Sequence, residues 1–487
     1  MTQPDQSAAL VSAALLDRPG YPEAADYFSP SEDFPDLPFT HRASQANPVY
    51  RAVRQCLIDA GLDAAHAGTA EWSPFSAWAR PGGRVFVLCN FVYHRLVQES
   101  GREFLGKCTH ASVIRPVIDY ALKAVGPQGS VEFGNAPLQA ADWGRLMRET
   151  GADRLMEFYN AHAPGRVLAR DLRSFVVERS IIGFQGAPEI REGNVVTLDL
   201  DGASKLERIA GNREFRVAQY DPRQTMSHHH DGKHVYKLSA KIASADLIIS
   251  VPKLKTHEKV GITCALKGCV GAIALKQCLA HHRKGSPARG GDEYPPAGSL
   301  KELATGLSDW VWKRDEGIVT NLGRVAERML MLAIRRTGGV GFGAWPGNDT
   351  CWRMALDAAR CVAHVTGQGV LEEEFNRPHI VLTDGVIAGE GTGPLRPSPV
   401  DSGWISFAAD PFAADYVNSL AMGFDPERIP LIREAAKLST FRVTALSSSD
   451  PRIRLNGKDV TVDELRARMP KTFAPPPAWE GTIELKR

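Results

Sequence analysis

The stretch SADLIISVPKLKTHEKVGITCALKGCVGAIALKQCLAHHRKGSPARGGDEY, residues 244–294, decides how the chain is read. Leu247-Ile248-Ile249-Ser250-Val251 is an apolar run of the kind that forms a strand buried on both faces. It leads directly into Pro252-Lys253-Leu254-Lys255-Thr256-His257, then into a segment punctuated by Gly261, Gly268 and Gly271 that carries Lys267. His281-His282-Arg283-Lys284 and a Gly-Gly-Asp turn close the stretch. Open α/β sheets place their chemistry just past the carboxyl ends of such strands.

Outward from this segment, strands and helices alternate. Arg84-Val85-Phe86-Val87-Leu88-Cys89 reads as a buried strand ending at Asn90. Residues 112–125 read as a helix, 129–134 as a strand closing on Asn135-Ala136-Pro137, and 139–151 as a further helix. This rhythm predicts βαβ units and an α/β fold with mainly parallel sheets. Residues 170–235 carry short β-like runs between polar turns and predict a small antiparallel insertion ending near His228-His229-His230. Residues 237–242 are expected to be a helix that feeds the central strand, and 299–337 to be largely helical up to a Gly338-Gly339 breaker.

A second α/β unit is expected beyond residue 340. Its parts are a helix over 351–365 capped by Asp349 or Thr350, a strand over 379–383, a glycine loop around Glu390, a strand over 404–407, helices over 411–422 and 430–436, and a strand over 441–445. The expected organisation is therefore an arm packed on the surface (1–45), a lobe at 46–298 holding the insertion at about 170–235, and a helical connector at 299–340. A second α/β lobe (341–450) and an extended Pro-rich tail (451–487) complete it, with the site in the cleft between the two lobes.

The 487 residues exceed what one small core needs. Lys and Arg number 58 against 56 Asp and Glu, so a net charge of +2 gives no general attraction to nucleic acid or to a membrane. No apolar run is long enough to span a bilayer, and the first residues lack the basic start of a signal peptide. The eight cysteines are scattered with no C-x-x-C pair and no ferredoxin-type motif, which points to a reducing, cytoplasmic setting.

Several residues carry chemistry in this reading. Lys253 and Lys255, beside a strand end, suit an anionic group, and His257 suits general acid/base work. No P-loop and no G-x-G-x-x-G is present. Lys267 lies in Ala265-Leu266-Lys267-Gly268-Cys269-Val270. There it either snorkels to water or is desolvated, and the second case favours a nucleophile or Schiff base. His281 and His282, with His257 and the 228–230 triplet, are candidate metal ligands. Cys264, Cys269 and Cys278 are either soft ligands or buried structural thiols. Asn90, Asn135, Asp384 and Asp410 fall at strand ends or the turns after them, where they either form turns or rim a site. Asn348, Asp349 and Arg353, among Trp345 and Trp352, either cap a helix or recognise a substrate, and Glu390 joins the rim from its glycine loop.

The segment ADLIISVPKLKTHEKVGITCALKGCVGAI resembles the family called domain of unknown function 362. The resemblance extends to Asn47-Pro48-Val49-Tyr50-Arg51, to Gly347-Asn348-Asp349-Thr350-Cys351-Trp352-Arg353, to Asp384-Gly385-Val386-Ile387 with Glu390-Gly391-Thr392-Gly393-Pro394, and to the run from Asp410 to Pro426. It implies an architecture and no particular reaction. Leu88-Cys89-Asn90 stands where the family commonly has Lys-Pro-Asn, Asn135 replaces an aspartate, and the cysteine cluster of many relatives is absent. Strand, His257, glycine segment and Lys267 are also similar to the central motif of nickel-pincer lactate racemases. Ser112-Val113-Ile114-Arg115-Pro116 is faintly similar to their Thr-Arg-Pro segment. That resemblance implies Lys267 as tether of a nickel cofactor, His257 as proton carrier and His281 or His282 as ligand. No histidine stands near Asn135-Ala136-Pro137 to match those enzymes' second catalytic histidine.

The expected function is an enzyme, isomerase-like or otherwise transferring protons, that acts on a small anionic substrate with Lys267 as cofactor tether or nucleophile. The rivals are a non-catalytic binding or assembly protein and a metal or cluster carrier built on Cys264, Cys269 and Cys278. Substrate identity and oligomeric state are not encoded in any of these motifs.

Overall fold

In the computed structural model, residues 9–179, 185–191, 194–211, 214–296, 299–315, 317–336, 340–446 and 451–486 are described. Eleven strands among them form one sheet. In chain order these are β1 (Leu10–Leu15), β2 (Arg84–Cys89), β3 (Ser130–Asn135), β4 (Val167–Asp171), β5 (Leu247–Val251), β6 (Lys253–His257), β7 (Gly261–Ile262), β8 (His379–Glu390), β9 (Ser398–Ala408), β10 (Arg452–Leu455) and β11 (Lys458–Val460). In space they run β11-β10-β1-β9-β8-β5-β2-β3-β4, with β6 on β8 and β7 on β6. From β8 through β4 every pairing is parallel, whereas β9 is antiparallel to both of its neighbours. The fold is the expected α/β class with a mainly parallel sheet. The antiparallel insertion is present as Val195–Asp199, His229–His230 and Lys233–Ser239.

The pleat divides the core in two. Val85, Val87, Ile249 and Leu382 point to one face, where helices α1 (Pro48–Asp59) and α2 (Ala111–Val125) cover them. Phe86, Leu88, Ile248 and Val381 point to the other. The connector region forms a hairpin of α3 (Ser299–Trp312) and α4 (Ile318–Arg336). Helices α5 (Cys351–His364) and α6 (Pro411–Ala421) pack on the second face. Such double-sided burial is why the parallel strands read as continuous apolar runs.

Five expectations change. The strand expected over 379–383 runs on to Glu390 as β8, so Asp384 lies mid-strand instead of at a strand end, and Glu390 ends the strand instead of sitting in a loop. Residues 10–15 are not part of a surface arm: β1 is buried between β9, antiparallel, and β10, parallel. Residues 233–239 are a strand, because Val235, Tyr236 and Leu238 pair with 195–199, and only the single turn Ala240–Ala243 is helical. Residues 441–446 are irregular, since Thr444 Oγ1 and the Ala445 N–H bond Asp410 instead of a neighbouring strand. The tail is not extended throughout: it supplies β10, β11 and the helix Val462–Arg468, which a Thr461/Glu464 capping box starts. The segments 46–298 and 341–450 contribute to the same sheet through the β5–β8 pairing. The Gly338-Gly339 breaker lies outside the described residues.

Candidate functional site

β5 and β6 follow one another along β8, with Pro252 at the joint and a register shift between Lys253 and Lys255. The chain then turns through β7 into a single-turn helix, Ala265–Gly268, that carries Lys267. Gly261 has φ +86°, which favours glycine at this reversal. Asp415 of α6 reaches across and accepts hydrogen bonds from the Ala265 N–H (2.7 Å) and the Leu266 N–H (3.0 Å). It anchors the start of the turn, and burial pushes its pKa up to about 7. At Gly271 a Cβ would lie 3.2 Å from the Asn135 side chain, so the lysine segment sits close against the end of β3.

Lysines crowd this edge, and they differ in partners. Lys253 is buried in an ion pair with Asp384 (3.0 Å) and also donates to the Tyr21 hydroxyl, which itself donates to Asp384 at 2.6 Å. The His110 N–H completes the shell of Asp384 at 2.9 Å. Lys255 donates to the Lys107 carbonyl, and burial lowers its pKa to about 7. Lys259 donates to the Phe342 carbonyl. Lys276 donates to the carbonyls of Val270 and Ile273 and is likewise lowered to about 7 by burial. Lys267 is 7% exposed and has no hydrogen bond or ion pair among the described residues. Its burial pulls its pKa down, which the Cys351 thiol partly opposes.

Two histidines feel the Lys267 charge. Burial, Lys267, His281 and Lys259 hold His257 well below its usual pKa, so it is neutral. Its Nδ1 accepts from the Lys259 N–H at 3.1 Å, which leaves the proton on Nε2. His281 is also held neutral by burial and by Lys259 and Lys267. Its Nδ1–H donates to the Leu279 carbonyl at 2.6 Å, which leaves a lone pair on Nε2. Neither Nε2 has a partner among the described residues, so one imidazole offers a proton and the other can take one. His282 begins a short strand and is buried. It lies beside Glu293 (4.0 Å) and Phe342.

The remaining predicted residues serve local bonding. Asn348 accepts from the Thr350 and Cys351 N–H groups and donates to the His281 and Gly343 carbonyls, so it starts α5 and fixes the His281 backbone. This role was expected of Asp349 or Thr350. Asp349 instead pairs with Arg353 (3.0 Å), whose guanidinium also stacks on Trp352. Glu390 takes Lys471 (2.7 Å) and the Ala474 N–H. Asp410 caps α6. Asn90 and Asn135 sit side by side at the ends of β2 and β3, and each has a buried Oδ1 with no hydrogen-bond partner among the described residues. Thr263 Oγ1 and Gln277 Oε1, on the lysine segment itself, are in the same condition. Arg115 is buried against Asp119 and Phe158 on α2.

Metal and cluster chemistry can be weighed on these contacts. No three His, Cys, Asp or Glu side chains among the described residues come together as a metal-binding group. His229 of the triplet is buried, with Nε2 on the Cys278 carbonyl. All eight cysteines are free and buried. Burial pushes Cys264 and Cys269 far above the usual thiol range and Cys278 up to about 11, so in the protein alone these are protonated, buried thiols. Lys267 and His281 fit a tethered group better, the one as an unpartnered amine and the other with a free lone pair. A cavity of about 700 Å³ lies elsewhere, lined by Glu214, Arg283, Lys284, Arg289, Tyr294 and Glu302. Its cations Arg283 and Lys284 are already paired with Asp292 and Asp309, so it offers an anion less than Lys267 does. Asp415 lies within the run from Asp410 to Pro426, and no spacing singles it out, because it meets the lysine turn only through the fold.

A family model described as a domain of unknown function (DUF362) matches residues 173–419, just over half of the chain. A thylakoid-associated protein of Synechocystis sp. is 22% identical over 225 residues, 46% of either chain. The chain thus spans about half the length of the curated relative it matches. The crystal structure of a Thermotoga maritima protein aligns with 69% of this chain and 54% of that one, at 11% identity and a TM-score of 0.27. No helix among the described residues is long and apolar enough to cross a membrane.

Proposed function

The chain belongs to the DUF362 family, and we propose that it is an enzyme that moves a proton on a small anionic substrate held at Lys267. The observation that carries this reading is the Lys267 amine, on a side chain only 7% exposed and with no partner among the described residues. A buried ammonium without a counter-ion is costly, and an anionic ligand supplies the missing charge. His257 then offers its Nε2 proton as general acid, and His281 offers its Nε2 lone pair as general base. The bare Oδ1 atoms of Asn90 and Asn135 suit hydroxyl or amine donors on the same ligand. Lys253, Asp384, Lys255, Asn348, Asp349, Arg353 and Glu390 act indirectly in this proposal, holding strand ends, the helix start and the tail in place.

A tethered nickel cofactor of the kind the racemase resemblance implies would use Lys267 as its anchor and His281 Nε2 as a ligand, in place of its role as base. It would supply a metal centre beside the two imidazoles. Asn135 has no titratable side chain, so it supplies no second proton relay. Intact mass of the purified chain tests this part through an adduct on Lys267.

The main test combines binding and exchange. Small carboxylates and phosphates are titrated calorimetrically into wild type and Lys267→Met. Binding should weaken about 10–100-fold in the variant, the worth of one charge-assisted hydrogen bond. In D₂O, the ligand that binds should exchange a C–H proton with wild type and not with His281→Gln. Equal affinity in Lys267→Met, or exchange that survives His281→Gln, would overturn the assignment.

A further inference from the structure

In the hairpin of α3 and α4, α4 is amphipathic in the reverse of the usual sense. The face that α4 turns inward is largely polar. Thr320, Arg324 and Glu327 are buried there with Ile334, Glu327 accepts from Trp312 Nε1 (3.0 Å), and the Arg324 guanidinium lies over the Trp312 ring. The face it turns to solvent is apolar. Ile318, Leu322, Val325, Met329 and Leu332 are all exposed, from 38% at Val325 to 81% at Ile318. Their spacing alternates four and three residues, the a/d seam of a helix that packs against other helices. On α3, Leu300, Leu303 and Trp310 are exposed at the same periodicity, with Leu307 partly exposed between them. Ala326 and Ala333, next to the α4 seam, are small enough for a close approach.

Two observations select the occupant. The exposed apolar area of the two seams is on the order of 800 Å², the share each partner gives to a standard stable interface and more than an ordinary monomer shows in one patch. A heptad seam on two adjacent antiparallel helices is half of a four-helix bundle, which a second such hairpin completes. An in-plane membrane helix is built differently, with a basic polar face free in water. Here the polar face of α4 is closed by α3.

We infer that the hairpin Ser299–Trp312 and Ile318–Arg336 is the interface between two copies of this chain, each seam packing on the seams of the second copy. The interface is isologous and closes as a dimer. Sedimentation velocity on the full chain at micromolar concentration should give twice the mass of one chain. Leu322→Glu with Met329→Glu, both at exposed positions, should weaken association at least 100-fold and leave the circular dichroism of the protein unchanged. Arg328→Gln, off the seam, should remain dimeric. A monomeric wild type overturns the inference, as does a double variant that stays dimeric. A wild-type monomer that co-sediments with phosphatidylglycerol vesicles likewise overturns it, and assigns the face to a lipid surface.

Discussion

Lys253 and Lys267 belong to one glycine-broken segment and are both buried, yet the fold treats them in opposite ways. Lys253 is closed in by Asp384, Tyr21 and the His110 N–H that shares Asp384. Lys267 is delivered by a single helical turn into a place with two neutral imidazoles nearby and no counter-ion among the described residues. The first arrangement is complete in the protein alone. The second is complete only with something added. A buried charge therefore points to function when its partner is missing, and burial by itself does not make the distinction.

The largest effect that separates the two lysines is on stability. Lys253→Met strands a buried carboxylate and should cost about 3–5 kcal/mol in urea denaturation. Lys267→Met removes an unpartnered amine and should leave stability unchanged or raise it. Equal losses in the two variants would break the comparison. A smaller effect tests how the lysine turn is held. Asp415→Asn keeps the shape but replaces one of two acceptor oxygens with a donor, leaving an N–H of the turn unpaired at a cost of about 1–3 kcal/mol. The same variant should weaken anion binding, whereas unchanged affinity would show that the turn holds itself.

The remaining effect is one of pH and concerns Lys255, which lies between the two in character. Burial lowers it to about 7 in the folded chain, against about 10.4 in the unfolded one. Between these values the unfolded chain binds more proton, so this site's contribution to stability rises with pH. The stability of Lys255→Met relative to wild type should be greatest below pH 7 and should fall towards pH 10. The change should approach about 1.4 kcal/mol per pH unit within this window, the slope set by one proton. A difference that stays constant over this range would show that Lys255 keeps its ordinary pKa.

Much of this architecture is legible in the residues. Continuous apolar runs announced β2 and β5, because strands covered on both faces need apolar side chains at every position. β1 was not legible. Its Leu-Val-Ser-Ala-Ala-Leu has little β character, and its partners lie at 404–408 and 452–455. The grouping of His257, Lys267 and His281 followed from local density in one segment. The pairing of Lys253 with Asp384 and Tyr21 did not, since it joins three distant parts of the chain. Arg353 with Asp349 is an i,i+4 pair and carried a readable signal. The tautomers of His257 and His281 depend on single backbone groups two residues away, which no spacing rule anticipates.

The position of β1 has a consequence for synthesis. This strand is translated before either of its neighbours, β9 and β10. At ordinary elongation rates it waits roughly 20–80 s on the ribosome before residue 408, the partner of Val11, is made. Until residues 379–390 are made, the edge of β5 that β8 will cover has no neighbour in the growing chain, and Asp415 has not yet arrived to seat the lysine turn. The nascent chain is thus an open sheet for most of its synthesis, and the turn that carries Lys267 is among the last parts to be fixed.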